Sequence, residues 1–144
     1  ELCINLKEVL KVRDTAIVFY TSEIGKAKVR NLSPQISSIV QYIGLNMYTK
    51  ITVRQIAQYF SMSEARLRTV FKKEMNISIH NYILRRKISE AKVMLKSNYP
   101  INDISLLLGF SDTSHFTKVF KKITGTTPKK YQMSVDSKFT LNLD

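Results

Sequence analysis

The chain has 144 residues and 44% hydrophobic content, which allows one or two small globular cores. Its formal charge of +12 favours polyanionic partners. The lone Cys3 excludes a disulfide framework and fits a reducing compartment, while no apolar run reaches membrane-spanning length and the start does not read as a signal peptide. The chain begins at Glu1 rather than methionine, which suits a piece of a longer protein.

In residues 1–32, Leu6, Leu10, Ala16, Ile17, Val18 and Phe19 can make one or two helices on the following segment, an inter-domain linker or the tail of a preceding domain. From Pro34 to Met47 an apolar stripe of Ile36, Ile39, Val40, Ile43 and Met47 predicts a helix, with Ser33 as its cap and Pro34 in its first turn. Gly44 interrupts the stripe near its end and weakens the last turn by about 1 kcal/mol relative to alanine. A short helix follows from Val53 to Phe60, turning Ile56, Ala57 and Phe60 inward. Ser63 then caps a third helix from Glu64 to about Met75, and Glu64 suits the positive end of its dipole. Leu67, Val70 and Phe71 face its core.

From Ile79 to about Lys96 runs a pattern without internal glycine or proline, its apolar side carrying Tyr82, Ile83, Ile88, Ala91, Met94 and Leu95. It predicts a rigid connecting helix rather than a tether. Arg85, Arg86 and Lys87 on it are assigned to phosphate contacts or to pairing with Glu90. Ile101 to Leu108 forms a short supporting helix, Gly109 permits a turn and Phe110 seals it. Asp112, with Ser111 competing, caps a final reading helix that buries Phe116, Val119 and Phe120. Residues 133–144 alternate weakly around Val135, Phe139 and Leu141 and read as a ragged or strand-like tail.

These elements repeat. Val70-Phe71-Lys72-Lys73 recurs as Val119-Phe120-Lys121-Lys122, and at the same offset Leu67 matches Phe116, Ser78 matches Thr127 and Tyr82 matches Tyr131. Upstream the offset is one shorter, pairing Ile56 with Ile104, Phe60 with Leu108 and Met62 with Phe110. One residue is therefore inserted between the paired helices of the second copy, where a loop tolerates it. Residues 50–131 hold 16 Lys/Arg against 5 Asp/Glu, so the positive field coincides with the repeat. Two copies of a helix–turn–helix pattern on a basic segment point to a reader of duplex DNA, which would release counterions on binding. A period of this length also describes a structural helical repeat.

In the first copy, the core assignment leaves Ala65, Arg66, Arg68, Thr69 and Lys72 outside. Arginine offers a fork for guanine O6/N7, while Ala65 and the Thr69 methyl suit a thymine methyl. In the second, Thr113, Ser114, Thr117, Lys118 and Lys121 point outward, a hydroxyl-rich surface that would read a different sequence. Lys72, Lys73, Arg85, Arg86, His115, Lys121 and Lys122 are candidate phosphate contacts. A solvated basic face is the alternative for any one of these residues, and it weakens when they are taken together with the helix-turn-helix spacing; His115 has no acidic or cysteine ligands arranged around it to suggest a metal.

The run Arg86-Lys87-Ile88, Ala91, Ile104-Ser105, Gly109-Phe110-Ser111-Asp112, His115-Phe116, Val119-Phe120-Lys121-Lys122, Gly125, Thr127-Pro128 and Tyr131 closely resembles the DNA-binding domain of AraC/XylS-family bacterial transcription regulators. The resemblance covers about 100 residues, from Pro34 to Gln132. It implies an all-α fold of about seven helices: a first helix-turn-helix subdomain at 33–77, a connecting helix at 78–97 and a second subdomain at 98–132. It also implies promoter DNA and RNA polymerase as partners, a cytoplasmic setting, and an effector or dimerisation domain before residue 33. By motif match, its base-reading positions fall on Ala65, Arg66, Arg68, Thr69, Thr113, Ser114, Thr117 and Lys118. Two positions depart: Ala65 and Thr69 are small where larger contacting side chains are common, and Ser105 replaces the usual alanine, so its buried hydroxyl needs a partner such as the preceding-turn carbonyl.

An enzyme is not expected, because no Gly-rich phosphate loop, HExxH, CxxC or nucleophile elbow is present; no cofactor or metal is implied. The stronger competitor is a basic helical module that holds RNA or an acidic protein without reading base order.

Overall fold

Side-chain caps fix where α2, α3, α4 and α6 begin. The computed structural model describes residues 32–140, with side chains to Ser134; the expectations for residues 1–31 and 141–144 lie outside the described residues. Seven helices are described: α1 (Pro34–Leu45), α2 (Val53–Tyr59), α3 (Glu64–Met75), α4 (Ile79–Lys96), α5 (Ile101–Leu107), α6 (Thr113–Thr124) and α7 (Pro128–Thr140). Thr52 starts α2 with a capping box, its hydroxyl accepting from Gln55 N at 3.2 Å while Gln55 Oε1 accepts from Thr52 N at 2.9 Å. Ser63, Ser78 and Asp112 cap α3, α4 and α6 by accepting the backbone N–H of Arg66, Asn81 and His115. Each such cap satisfies an amide that the helix itself cannot, an effect of about 1 kcal/mol in comparable sites.

The internal repeat is a structural one. The caps Ser63 and Asp112 occupy matched positions, and α3 and α6 both end on a left-handed residue, Asn76 at φ 56° and Gly125 at φ 82°. Leu67 and Phe116, Phe71 and Phe120, and Ile56 and Ile104 are all fully buried pairs of the repeat. Even the second-layer rings correspond: Tyr82 meets Phe71 edge-on at 5.3 Å, and Tyr131 meets Phe120 at 5.6 Å. Ser111 is the inserted residue, lying between the α5–α6 turn and the Asp112 cap.

One core comprises Met47, Ile88, Ala91, Leu95, Ile104, Leu108, Phe110, Phe116 and Phe120. The other buried apolar residues are Ile36, Ile39 and Ile43 of α1, Ile56 and Ala57 of α2, Leu67 and Phe71 of α3, and Ile79 and Ile83 at the start of α4. Helix α1 packs on α2 and α3, and α2 on α3; α5 and α7 pack on α6, and α4 packs on α3, α5, α6 and α7. The architecture is therefore all-α, two helix-turn-helix units joined by one 18-residue helix. Its rigidity follows from an unbroken run of hydrogen bonds and from burial at both ends.

Three sequence expectations change. Helix α1 stops at Leu45 rather than Met47, and Met47 turns away to fill the second core. Lys87, assigned to phosphate or to Glu90, is only 5% exposed. Its ammonium lies 5.6 Å from the Phe110 ring and donates to Thr49 O at 3.4 Å, while Glu90 instead accepts from the Tyr48 hydroxyl. Burial pushes the Lys87 pKa below the ordinary lysine value, because the charged form loses its water. Finally, α7 continues helically to Thr140 in place of a strand-like tail. Pro128 presets its first turn, and no glycine or proline follows before its end.

Ser105 is 2% exposed, and among the described residues its hydroxyl finds no hydrogen-bond partner. Gly109 combines two constraints: φ is +66°, and a Cβ there would lie 2.9 Å from Thr49 O. The turn between α5 and α6 thus requires glycine both for its backbone and for the approach of a loop from the other unit. Gly125 has a left-handed φ but open space around it. Gly109→Ala is accordingly expected to lower stability by clearly more than the roughly 1–2 kcal/mol that a left-handed alanine costs at Gly125→Ala. Parallel urea melts of the two variants check this; equal losses would remove the close-approach argument.

Candidate nucleic-acid interface

Burial of Leu67 and Phe71 turns the opposite faces of α3 outward, so Ala65, Arg66, Arg68 and Thr69 are exposed. Thr69 donates its hydroxyl to Ala65 O at 2.9 Å, which leaves the methyl group as its outward feature. Arg68 Nη2 lies 2.8 Å from Glu64 Oε2, one turn earlier, with both side chains substantially solvated. That pairing holds the guanidinium over the first turn of α3 but contributes little stability.

In α6, Ser114 and Lys118 are exposed, whereas Thr113 and Thr117 are half-buried. Thr113 donates to Asn102 Oδ1 of α5 at 3.1 Å, tying the two helices of the unit together. Its hydroxyl is therefore occupied in the free protein, unlike the exposed Ser114. His115 is exposed and braced, with Nδ1 3.1 Å from Ser111 Oγ and its ring edge-on to Phe110 at 5.6 Å. The Asp112 carboxyl is held below its ordinary pKa, first by the hydrogen bond from His115 N and also by the Ser111 hydroxyl and the His115 charge. It remains ionised and keeps α6 capped at neutral pH.

The expected phosphate ligands separate into groups. Lys72 and Lys73 occupy the last turn of α3, Lys121 and Lys122 that of α6, and all four are exposed. They complement the negative ends of the helix dipoles whatever else they do. Arg85 is exposed; Arg86 is half-buried beside Tyr82. Burial raises the Tyr82 phenol pKa and the Arg86 charge opposes that shift.

Sequence reasoning did not single out the ground between α3 and α6. A cleft of about 410 Å³ runs there, reaching Glu64 and Arg68 in α3 at one side and Ser111 and His115 at the other. Ile83, Leu84 and Phe110 supply apolar surface within it, and Lys50, Arg54 and His80 bring positive or protonatable groups. These three are exposed and, among the described residues, make no ion pair. Arg54 lies within the Thr52-x-x-Gln55 capping box that starts α2, and Lys50 lies in the loop two residues before it. Among the described residues no His, Cys, Asp or Glu cluster is arranged for a metal ion, and no helix is long and apolar enough to cross a membrane.

Residues 56–134 match the model of a helix-turn-helix domain family, and the chain belongs to that family. It is a transcription-regulator domain of the AraC/XylS-related type. It is 29% identical over 133 residues to the arabinose operon regulatory protein of Salmonella typhimurium, covering 91% of this chain and 45% of that protein. It is 34% identical over 115 residues to the HTH-type transcriptional regulator YdiP of Escherichia coli, covering 78% and 37%. The C-terminal domain of AraT, a response regulator from Geobacillus stearothermophilus, superposes with a TM-score of 0.69 at 27% identity, covering 72% of this chain and 87% of that one. The chain thus spans less than half the length of these two curated relatives. Both curated relatives carry regulatory names.

Among the described residues, Glu64 is the acidic side chain paired with Arg68 on α3, so it competes with any anion for that guanidinium. Glu64→Gln is expected to tighten binding to duplex DNA by about threefold at low salt, with the gain shrinking as salt rises. Fluorescence anisotropy at two ionic strengths checks the direction; weaker binding would mean that the pairing with Glu64 orients Arg68 productively.

Proposed function

We propose that this domain recognises an asymmetric, bipartite site in double-stranded promoter DNA by placing α3 and α6 in successive major grooves. One observation carries the reading. Two repeated, capped helices border a single basic cleft, yet they expose different chemistry, Arg66 and Arg68 on α3 against Ser114 and Lys118 on α6. Guanidinium forks select guanine edges, whereas hydroxyl and ammonium groups suit other base patterns, so the two half-sites differ. Ala65 and the Thr69 methyl add apolar contacts, and Thr113 and Thr117 border the second reading surface. Lys72, Lys73, Lys121, Lys122, Arg85, Arg86 and His115 serve the backbone. To these the cleft adds Lys50, Arg54 and His80, placed to meet the phosphates between the half-sites.

For both helices to lie on one face of B-DNA, their insertion points must be about 34 Å apart, or the duplex must bend towards them. The setting is cytoplasmic, and RNA polymerase is the natural protein partner of a domain bound at a promoter. The greater length of the relatives supports an effector or dimerisation domain elsewhere in the complete protein.

Base reading and phosphate contact separate on mutation. Arg68→Ala is expected to cost about 1–3 kcal/mol on the preferred site and to relax preference at particular base pairs. Lys72→Ala is expected to weaken all sequences alike and to reduce the salt slope by about one. Binding profiles over a library of single-base-pair variants distinguish them. Uniform loss in both variants would favour a basic module that holds RNA or an acidic protein without reading sequence.

A further inference from the structure

The connecting helix α4 joins the two units, but it is not their only physical link. Among the described helices, no pair drawn from α1–α3 on one side and α5–α7 on the other packs as an extensive interface. The first unit would therefore be free to rock about α4 and the α3–α4 turn, were it not for the loop between α1 and α2. That loop ties to α4 and to the second unit through consecutive residues. Met47, 4% exposed, is part of the second core. The Tyr48 hydroxyl bonds Glu90 of α4. Thr49 O accepts from buried Lys87. The Thr49–Lys50 backbone lies so close to Gly109 that a Cβ would not fit. The loop is also braced within itself, Asn46 Nδ2 donating to Tyr42 O at 2.9 Å and Thr49 Oγ1 to Asn46 O at 2.7 Å. It runs directly into the Thr52 cap of α2, so its position fixes the entry of the first helix-turn-helix.

We propose that residues 46–50 act as a strap that holds the two reading helices at one separation, making Met47, Tyr48 and Lys87 positioning residues that set the half-site spacing the protein accepts. This rests on the two-reader function above. Changing the spacing by one base pair moves a half-site by about 3.4 Å and turns it by about 34–36° around the duplex axis. A strapped pair of helices cannot follow that change without bending the DNA; an unstrapped pair follows by rocking. The strap thus adds specificity at base pairs that no side chain reads.

Two measurements separate the strap from the reading function. The first needs no DNA. With Cys3 replaced by serine, spin labels at the exposed positions Lys73 and Lys122 report the distance distribution between the ends of α3 and α6. Met47→Ala, which empties a buried seat, and the milder double variant Tyr48→Phe/Lys87→Met, which cuts both polar ties, are expected to broaden it. Ile39→Ala, buried in α1 away from the strap, is the destabilised control and should leave it narrow. An unchanged distribution in the folded double variant overturns the strap.

The second measurement titrates the preferred duplex and versions with one base pair added or removed between half-sites. The unaltered protein is expected to lose about tenfold in affinity on either change, and the strap variants about threefold or less. Parallel spacing profiles with a broadened distance overturn the specificity claim alone. Failure of the unaltered protein to prefer any bipartite duplex overturns the reading function and, with it, the claim on spacing, while the distance result still decides the strap itself.

Discussion

The buried face of α4 has to serve two cores at once. Each helix-turn-helix unit alone offers only a handful of apolar side chains, and domains of that size bury too little surface to be stable independently. Ile79 and Ile83 lie towards the first unit's end of the helix, Ile88, Ala91 and Leu95 belong to the second core, and between them sits Lys87, where an apolar residue would be expected from the stripe. A buried, unpaired ammonium is costly. Here the charge meets the Phe110 ring and a backbone carbonyl of the α1–α2 loop, so the charged residue of α4's buried face falls where the two units touch. Everything on the binding face inherits its placement from this arrangement: α3 through Phe71 and Tyr82, α6 through Phe116 and Phe120.

Within each unit the same solution is used twice. A short supporting helix, a tight turn, a side-chain cap and a left-handed exit position the second helix of each pair, and the matched rings Phe71–Tyr82 and Phe120–Tyr131 hold its inner face. Duplication of the scaffold leaves the outer faces free to diverge. Arg66 and Arg68 on one and Ser114 and Lys118 on the other give a single chain two dissimilar surfaces, which is how an asymmetric DNA site can be addressed without a symmetric dimer. The insertion of Ser111 is absorbed in the loop, where it joins Asp112 and His115 and leaves the helix register intact.

Most of the local architecture was legible from residue types. The spacing of Leu67, Val70 and Phe71 placed α3 correctly, Ser63 and Asp112 announced their caps, and the repeated Val-Phe-Lys-Lys located α3 and α6. Periodicity misled where a side chain leaves its own element. Met47 continues the apolar rhythm of α1 but packs in the other unit, and Lys87 looks like one of three surface cations although it is buried. The strand-like alternation after Gln132 was too weak to compete with a proline-started helix. Lys50, Arg54 and His80 were invisible for a different reason: they lie on separate elements and become neighbours only when α4 and the α1–α2 loop bring the two reading helices to one cleft.

The measurement that tests this account most directly is selection from a random duplex library, followed by titration of the selected site and a scrambled duplex at two salt concentrations. The account predicts one asymmetric sequence with two unlike half-elements about 10 base pairs apart, bound well above scrambled DNA at both salts. Recovery of no preferred sequence, with equal binding to both duplexes that falls together as salt rises, would contradict it.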